Sequence, residues 1–377
     1  MKLLEYQAKA VLESLGIPIP PGRVAETPDA AADAARELGA VAVKAQVPVG
    51  GRGKAGGIKL AQTPDEARAA AERIIGMDIS GHRVPLVYCE QALDIGQEIY
   101  LGFTVDRDAR ANVLMLSAKG GMEIEQVAEE SPEAIARLHP NPWRGPLDFE
   151  LNRLLVDAHL GEHGRALMPL IKRLYRAIGE YDAVTAEINP LVITKDGGLI
   201  AGDAKLETDD NAAFRQRGLE ERYGAILDRE GDALELEARR RHLTYLSLGG
   251  EVGIIGNGAG LCMGTLDLVQ RAGGSAANFC DIGGGAKAEV VENALAVILM
   301  NPRVRGVLIN VFGGITRGDE VARGLVQARD SLDMKLPLVV RLSGTNEEEG
   351  RAYLKEHGIE PGASGWEAAQ RIVELTR

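Results

Sequence analysis

Aromatic residues are scarce, at 4% of the chain, and cysteine is scarcer: Cys89, Cys262 and Cys280 are the only ones in 377 residues. Three cysteines at those separations match no metal-ligand spacing and no disulfide framework, so free thiols in a reducing compartment are expected. An excess of basic charge is also missing. Lys and Arg number 43 against 55 Asp and Glu, for a net charge of −12. A chain that acidic is a poor ligand for nucleic acid, and any anion site must be local, built from loops and helix ends. No stretch approaches the ~20 consecutive apolar residues that span a bilayer. Glu5, Lys9 and Glu13 interrupt any apolar segment of a signal peptide. A soluble cytoplasmic protein that engages no membrane is expected.

What is present is ordinary globular composition, 45% hydrophobic and 26% charged. Single cores stop growing near roughly 250–300 residues, so more than one domain is expected. In the first half, helical spacing over Tyr6 to Leu15, Pro28 to Leu38, Pro64 to Ile75 and much of Leu147 to Ile178 is interleaved with strand patterns. The strands are Ala40 to Ala45, Val84 to Glu90, Glu98 to Val105, Ala111 to Leu116, Ala183 to Thr194 and Leu199 to Lys205. Hairpins mixed with helices imply an α+β domain over residues 1–238, with a charge-dense linker from about residue 209. Residues 239–377 alternate strand and helix regularly, which predicts an α/β domain with one doubly wound parallel sheet.

Glycine is concentrated in loops. Gly50-Gly51-Arg52-Gly53-Lys54-Ala55-Gly56-Gly57 follows a strand and interleaves glycines with two cations. Such a loop lets backbone N–H groups approach phosphate oxygens. It is not a Walker A loop, and a mobile hairpin tip is the alternative. Gly256-Asn257-Gly258-Ala259-Gly260 lies between a strand and the helix pattern Leu261–Ala272, where helix N–H groups and the dipole favour an anion. A dinucleotide fingerprint, one residue too long, and a ligand-free tight turn are the other readings. Glycine-rich loops also follow the next two strands, at Gly283-Gly284-Gly285 and Gly313-Gly314. Three such loops at one sheet edge point to a ligand there.

Glu187-Ile188-Asn189-Pro190 leads into a turn at Lys195-Asp196-Gly197-Gly198, and Asp203 follows it. If Asp196-Gly197 are the central turn residues, Asp203 faces Pro190 and lies diagonal to Asn189. A one-residue bulge sets Asn189 and Asp203 directly opposite. Either way two oxygen ligands come within reach of one hard cation, for which Mg2+ is suited. A solvated hairpin face is the alternative.

These segments together resemble one family. Leu4-Glu5-Tyr6-Gln7-Ala8-Lys9, Lys44-Ala45-Gln46, the Gly50–Gly57 loop, Glu187-Ile188-Asn189-Pro190-Leu191, Asn257-Gly258-Ala259-Gly260-Leu261 and Phe312-Gly313-Gly314-Ile315-Thr316-Arg317 look like the β subunit of succinyl-CoA synthetase (succinate–CoA ligase), in the same order along the whole chain. The resemblance implies an ATP-grasp domain followed by a flavodoxin-like CoA-ligase domain. It implies an αβ or α2β2 enzyme of the tricarboxylic acid cycle that makes succinyl-CoA or runs in reverse. The α subunit would bind CoA and carry a histidine that is phosphorylated in turnover. A malate–CoA ligase β subunit and a stand-alone ATP-grasp carboxylate–amine ligase are the alternatives.

Carried over by position, Lys44, Gly51, Arg52 and Gly53 would hold nucleotide phosphates, and Glu90, Leu93 and Glu98 would line the base and ribose pocket. Asn189 and Asp203 would hold Mg2+, and Glu187 would orient the partner's histidine. Asn257, Gly314, Ile315 and Thr316 would contact succinate. The helix start at Gly258, Ala259 and Gly260 would face the phosphate. Pro20 matches members that use adenine, which implies ATP/ADP, with GTP/GDP as the alternative. Arg317, at a helix start, is a candidate partner for a substrate carboxylate. None of His82, His139, His159, His163, His242 and His357 lies in a glycine-rich loop, so the relay histidine is expected on the partner.

Overall fold

A computed structural model describes residues 1–227, 232–284, 287–314 and 317–377. The chain forms two compact units, Met1–Glu230 and Gly231–Arg377. The expected boundary at residue 238 falls inside the helix Ala233–Arg240, whose Ala238 is buried in the core of the second unit.

The first unit is α+β and its two larger sheets are antiparallel. One has the strand order Gly22–Ala25, Val87–Gln91, Val41–Ala45, Ile58–Ala61. The helices Pro28–Leu38 and Pro64–Ile74 pack against it through small residues such as Ala31, Ala35, Ala67 and Ala71. Both helices start the same way. Thr27 and Thr63 accept hydrogen bonds from Ala30 N and Glu66 N, and proline occupies the first helical position.

The second sheet is built on the long strands Ile95–Asp106 and Ala183–Thr194. One face carries a large core. There Ile99, Leu101, Phe103 and Ile188 meet Val11 and Leu12 of the helix Glu5–Ser14 and Leu167, Ile171 and Leu174 of the helix Gly164–Tyr181. The expected helical stretch over Leu147 to Ile178 is two helices, Asp148–Asp157 and Gly164–Tyr181. His159 lies in the break between them at φ +57°, so it and His163 do not share a helix face.

The second unit has one five-stranded sheet in the order Thr244–Ser247, Asn278–Asp281, Val252–Gly256, Gly306–Gly313, Leu338–Gly344. The last four run parallel and are covered on both faces, as a doubly wound sheet requires. The helices Ala288–Leu299 and Gly318–Ser331 bury Val291, Leu295, Val321 and Leu325 on one side. The helices Ala259–Arg271 and Gly365–Thr376 bury Val269 and Ile372 on the other.

The all-parallel expectation is corrected at the edge: Thr244–Ser247 is antiparallel to its neighbour. A four-residue connection to Val252 can reverse the chain, but it cannot make the crossover of a dozen or more residues that a parallel pair needs. The strand is only half-buried, which hid it from an apolar-run reading.

Candidate functional site

In the first unit the glycine-rich segment connects two antiparallel strands. The turn is closed by Ala55 N to Gly51 O, Gly56 N to Gly53 O and Gly57 N to Arg52 O, and Ala45 N reaches Gly57 O. Gly57 is needed for close approach: a Cβ there would stand 2.9 Å from Ile79 and 3.0 Å from the Ala45 Cβ. Within this turn the Arg52 side chain points inward and is 9% exposed.

Arg52 joins a buried cluster of three cations and three carboxylates. Its Nη1 donates to Glu5 Oε2 at 2.8 Å and to the Ala45 carbonyl at 3.1 Å. Its Nη2 donates to both oxygens of Asp203. Lys44 donates to Glu5 at 2.9 Å and to the Gly202 carbonyl at 2.7 Å, and it is paired with Glu90. Lys9 bonds Glu5, Glu90 and the same carbonyl.

Burial opposes charge on Glu5, yet Lys44, Arg52 and Lys9 outweigh it and hold the carboxyl well below its ordinary value. Burial likewise opposes charge on Lys44 and Arg52. Glu5, Glu90 and Asp203 around Lys44, and Asp203 and Glu5 around Arg52, push both upward, so all three groups stay ionised.

The hairpin carries the rest of the site. Leu191 pairs with Ala201 and Glu187 with Lys205, so one register holds on both sides of the break at 189–190 and sets Asn189 across from Asp203. This is the directly opposed arrangement of the two that the sequence allowed. Asn189 Oδ1 accepts from Gly121 N at 2.9 Å, and its Nδ2 donates to the Met122 carbonyl at 2.8 Å. Glu187 is raised above its ordinary value, first by burial, with Glu125 and Asp203 adding to the effect and Lys205 opposing it.

A cavity of about 730 Å³ brings these residues together. Gly51, Arg52, Gly53, Glu187, Asn189 and Asp203 all line it, with Lys54 and Lys205 adding cationic charge. Lys44 and Glu90 are not on its wall; they lie buried in the ion cluster. Leu93 and Glu98 do not line it either. A Cβ on Gly121 would meet the Glu98 carboxylate at 2.6 Å, so Glu98 abuts the loop that holds Asn189.

Glu5 and Lys9 were missed as site residues. Their signal was legible: a glutamate and a lysine at i and i+4 beside Ala8 and Leu12, on the face a helix buries. None of the six histidines lines the cavity.

Among the described residues no group of three or more His, Cys, Asp or Glu could hold a metal unaided. Asn189 and Asp203 supply one amide and one carboxylate oxygen. That donor set fits Mg2+, which takes a few protein oxygens and completes its shell from phosphate and water.

In the second unit the glycine-rich loops stand at one edge of the sheet, after Gly256, Asp281 and Gly313. Asn257 bridges strand ends: its Oδ1 accepts from Phe312 N at 2.9 Å and its Nδ2 donates to Phe312 O at 2.8 Å. Gly258 caps the helix Ala259–Arg271 at φ +100°. Its N–H donates to Asp281 Oδ1 at 2.6 Å, so a carboxylate already engages one amide of this helix start. Gly314 O accepts from Thr345 Oγ1. Ile315 and Thr316 lie outside the described residues. Arg317 faces Asp319 at 3.2 Å and Glu320 at 3.8 Å.

Residues 2–193 match the ATP-grasp domain family, and residues 255–372 match the CoA-ligase family. A Thermus thermophilus protein named succinate–CoA ligase [GDP-forming] subunit beta is 50% identical over 379 residues, covering 100% of this chain and 99% of that one. The Rubrobacter xylanophilus and Haloarcula marismortui proteins named succinate–CoA ligase [ADP-forming] subunit beta are 47% and 48% identical, each over 100% of this chain and 99% of theirs. Among solved structures, ATP citrate lyase from Methanothrix soehngenii in complex with citrate and coenzyme A aligns with a TM-score of 0.74 at 20% identity. It covers 100% of this chain and 98% of that one, a likeness of fold.

Proposed function

The chain belongs to the family of succinate–CoA ligase β subunits, and from that premise we propose that it binds a magnesium–nucleotide complex in the cavity of its first unit. With an α subunit it would interconvert succinate, CoA and nucleoside triphosphate with succinyl-CoA, nucleoside diphosphate and phosphate. The observation that carries this reading is the convergence of Gly51, Arg52, Gly53, Glu187, Asn189 and Asp203 on one cavity.

Each residue then has a physical task. The Gly51–Gly53 backbone and the Arg52 and Lys54 side chains offer N–H groups and positive charge to phosphate oxygens. Lys44 sets the potential behind them and helps to hold Glu5 ionised, while burial pushes the Glu90 carboxyl upward. Asn189 and Asp203 hold Mg2+, which when bound neutralises phosphate charge. Glu187 accepts an imidazole N–H from the partner's relay histidine, fixing its tautomer so that the other nitrogen is free to attack. Most of the catalysis is positioning plus electrostatics.

In the second unit, Gly258, Ala259 and Gly260 present a helix start to the phosphate, at about 0.3–1 kcal/mol when exposed. Gly314, Ile315 and Thr316 would face succinate. Asn257 acts there by holding Phe312 at the sheet edge. The α subunit supplies the CoA site and the phosphohistidine. Pro20 and the number of ADP-forming relatives favour ATP/ADP over GTP/GDP. The buried free thiols suit the cytoplasm.

The test is CoA-dependent phosphate release with and without a candidate α subunit, alongside calorimetric nucleotide binding. The chain alone binds nucleotide and makes no succinyl-CoA; adding the α subunit creates turnover and a labelled phosphohistidine. Robust synthesis by this chain alone, free of α subunit, would refute the reading.

A further inference from the structure

Tyr100 lies on the strand Ile95–Asp106 between Ile99 and Leu101, which face the core. Alternation puts Tyr100 on the other face of the sheet, the face that carries Glu187. A large side chain there would ordinarily reach solvent, yet Tyr100 is 1% exposed. Two places along, on the same face, is Gly102. A Cβ on Gly102 would stand 2.6 Å from the Tyr100 hydroxyl, so the ring lies along the strand over the glycine. Gly102 pairs with Glu187 across the ladder. The buried tyrosine hydroxyl is thereby brought to the place on this face of the sheet where Glu187 stands across the ladder.

We infer that Tyr100 is a positioning residue for Glu187, and that Gly102 is kept free of a side chain so that the hydroxyl can reach the carboxylate. The inference rests on the reading of Glu187 as the group that orients the partner's histidine. A carboxylate on a strand can rotate about its terminal bonds. A phenol donating to one oxygen leaves the other oxygen aimed into the cavity, where an imidazole N–H can donate to it. The ring adds no contact to nucleotide, since Tyr100 is not on the cavity wall. Its effect therefore falls on phosphoryl transfer and not on nucleotide affinity.

The experiment uses the chain reconstituted with its α subunit. Tyr100→Phe keeps the packed ring and removes the hydroxyl. Single-turnover phosphorylation from labelled ATP should slow about tenfold, the worth of one hydrogen bond to a charged group. The nucleotide dissociation constant, measured by calorimetry, should stay within about twofold of wild type, inside the usual error of independent effects. Gly102→Ala, which leaves the tyrosine but blocks its path, should give the same split.

Placed on a Glu187→Gln background, Tyr100→Phe should add less than about twofold, because its route of action is gone. A purely structural tyrosine would instead add its full loss to that of Glu187→Gln, or weaken nucleotide binding in parallel; either result overturns the inference, as does an unchanged rate in Tyr100→Phe. If Glu187→Gln itself transfers phosphate at the wild-type rate, the functional reading of Glu187 fails first, and the two failures are told apart.

Discussion

Arg52 and Asp203, 151 positions apart, meet through one guanidinium nitrogen that donates to both carboxylate oxygens, at 2.8 and 2.6 Å. The carboxylate proposed for Mg2+ is therefore held in place by the cation proposed for phosphate. If Mg2+ and phosphate bind as proposed, each side of the pair would gain a new partner of opposite charge. Arg52 also donates to Glu5 through its other nitrogen.

Asp203→Asn removes the only formal anion of the metal pair. Asp203 is 27% exposed on its side chain and Arg52 retains Glu5, so the folding cost should be about 1 kcal/mol. The Mg2+ concentration that half-saturates nucleotide binding should rise about tenfold or more, because ligand charge governs a hard cation. Titration of Mg2+ against nucleotide binding measures it. An unchanged midpoint removes Asp203 from the metal site.

Glu5→Gln should act on folding first. Glu5 is in contact with Lys9, Lys44 and Arg52 and is buried, at the cavity wall. Deleting one member of a buried ion cluster leaves uncompensated charge and costs about 3–5 kcal/mol. Hydrogen exchange of the buried strand Val41–Ala45 in urea reads this loss in the first unit. A loss below about 1 kcal/mol would show that water reaches the cluster.

Asp182 should make part of the acid sensitivity. Hydrogen bonds from Arg215 and Gln216 hold its carboxyl at about 2, against about 3.9 in an unfolded chain. Between those values the unfolded state binds the proton and the folded state does not. The contribution is therefore present above about pH 4 and is lost as pH falls toward 2. Asp182→Asn keeps a residue that tolerates the left-handed conformation found there, φ +50°. Urea midpoints followed from pH 5 to 2 should converge for wild type and variant at the acid end. Parallel curves would exclude the linkage.

Asn257→Ala separates a scaffold role from a substrate role. Both side-chain groups bond the Phe312 backbone, and their loss should destabilise the second unit by roughly 1–3 kcal/mol. The chain has two tryptophans. In a Trp143→Phe background the fluorescence of Trp366, half-exposed on the helix Gly365–Thr376, reports that unit. Unchanged stability together with a raised succinate KM would return Asn257 to direct substrate contact.

Short-range chemistry made much of this protein legible from its sequence. Thr-Pro-Asp before an alanine-rich run is a helix start wherever it stands, and residues 28–38 and 64–74 follow it. The apolar blocks of residues 252–255, 307–311 and 338–342, alternating with helical patterns, read as strands of a parallel sheet. The glycine-rich loops and the Glu187–Asp203 hairpin were likewise visible as residue types in a spacing that suits phosphate and a hard cation.

Tertiary structure alone decided the rest, because each feature depends on partners distant in the chain. The register of one ladder set Asn189 opposite Asp203. Arg52 turns inward to partners 47 and 151 positions away, Glu5 and Asp203. A four-residue connection made Thr244–Ser247 antiparallel. Glu5, Lys9, Lys44, Arg52, Glu90 and Asp203 come from four stretches of sequence, and the buried charges on Glu5, Lys44 and Arg52 are tolerable only because groups of opposite sign stand beside them. Local pattern carries no information about such mutual neutralisation, since the stabilising charge for each residue is supplied through space and not along the chain.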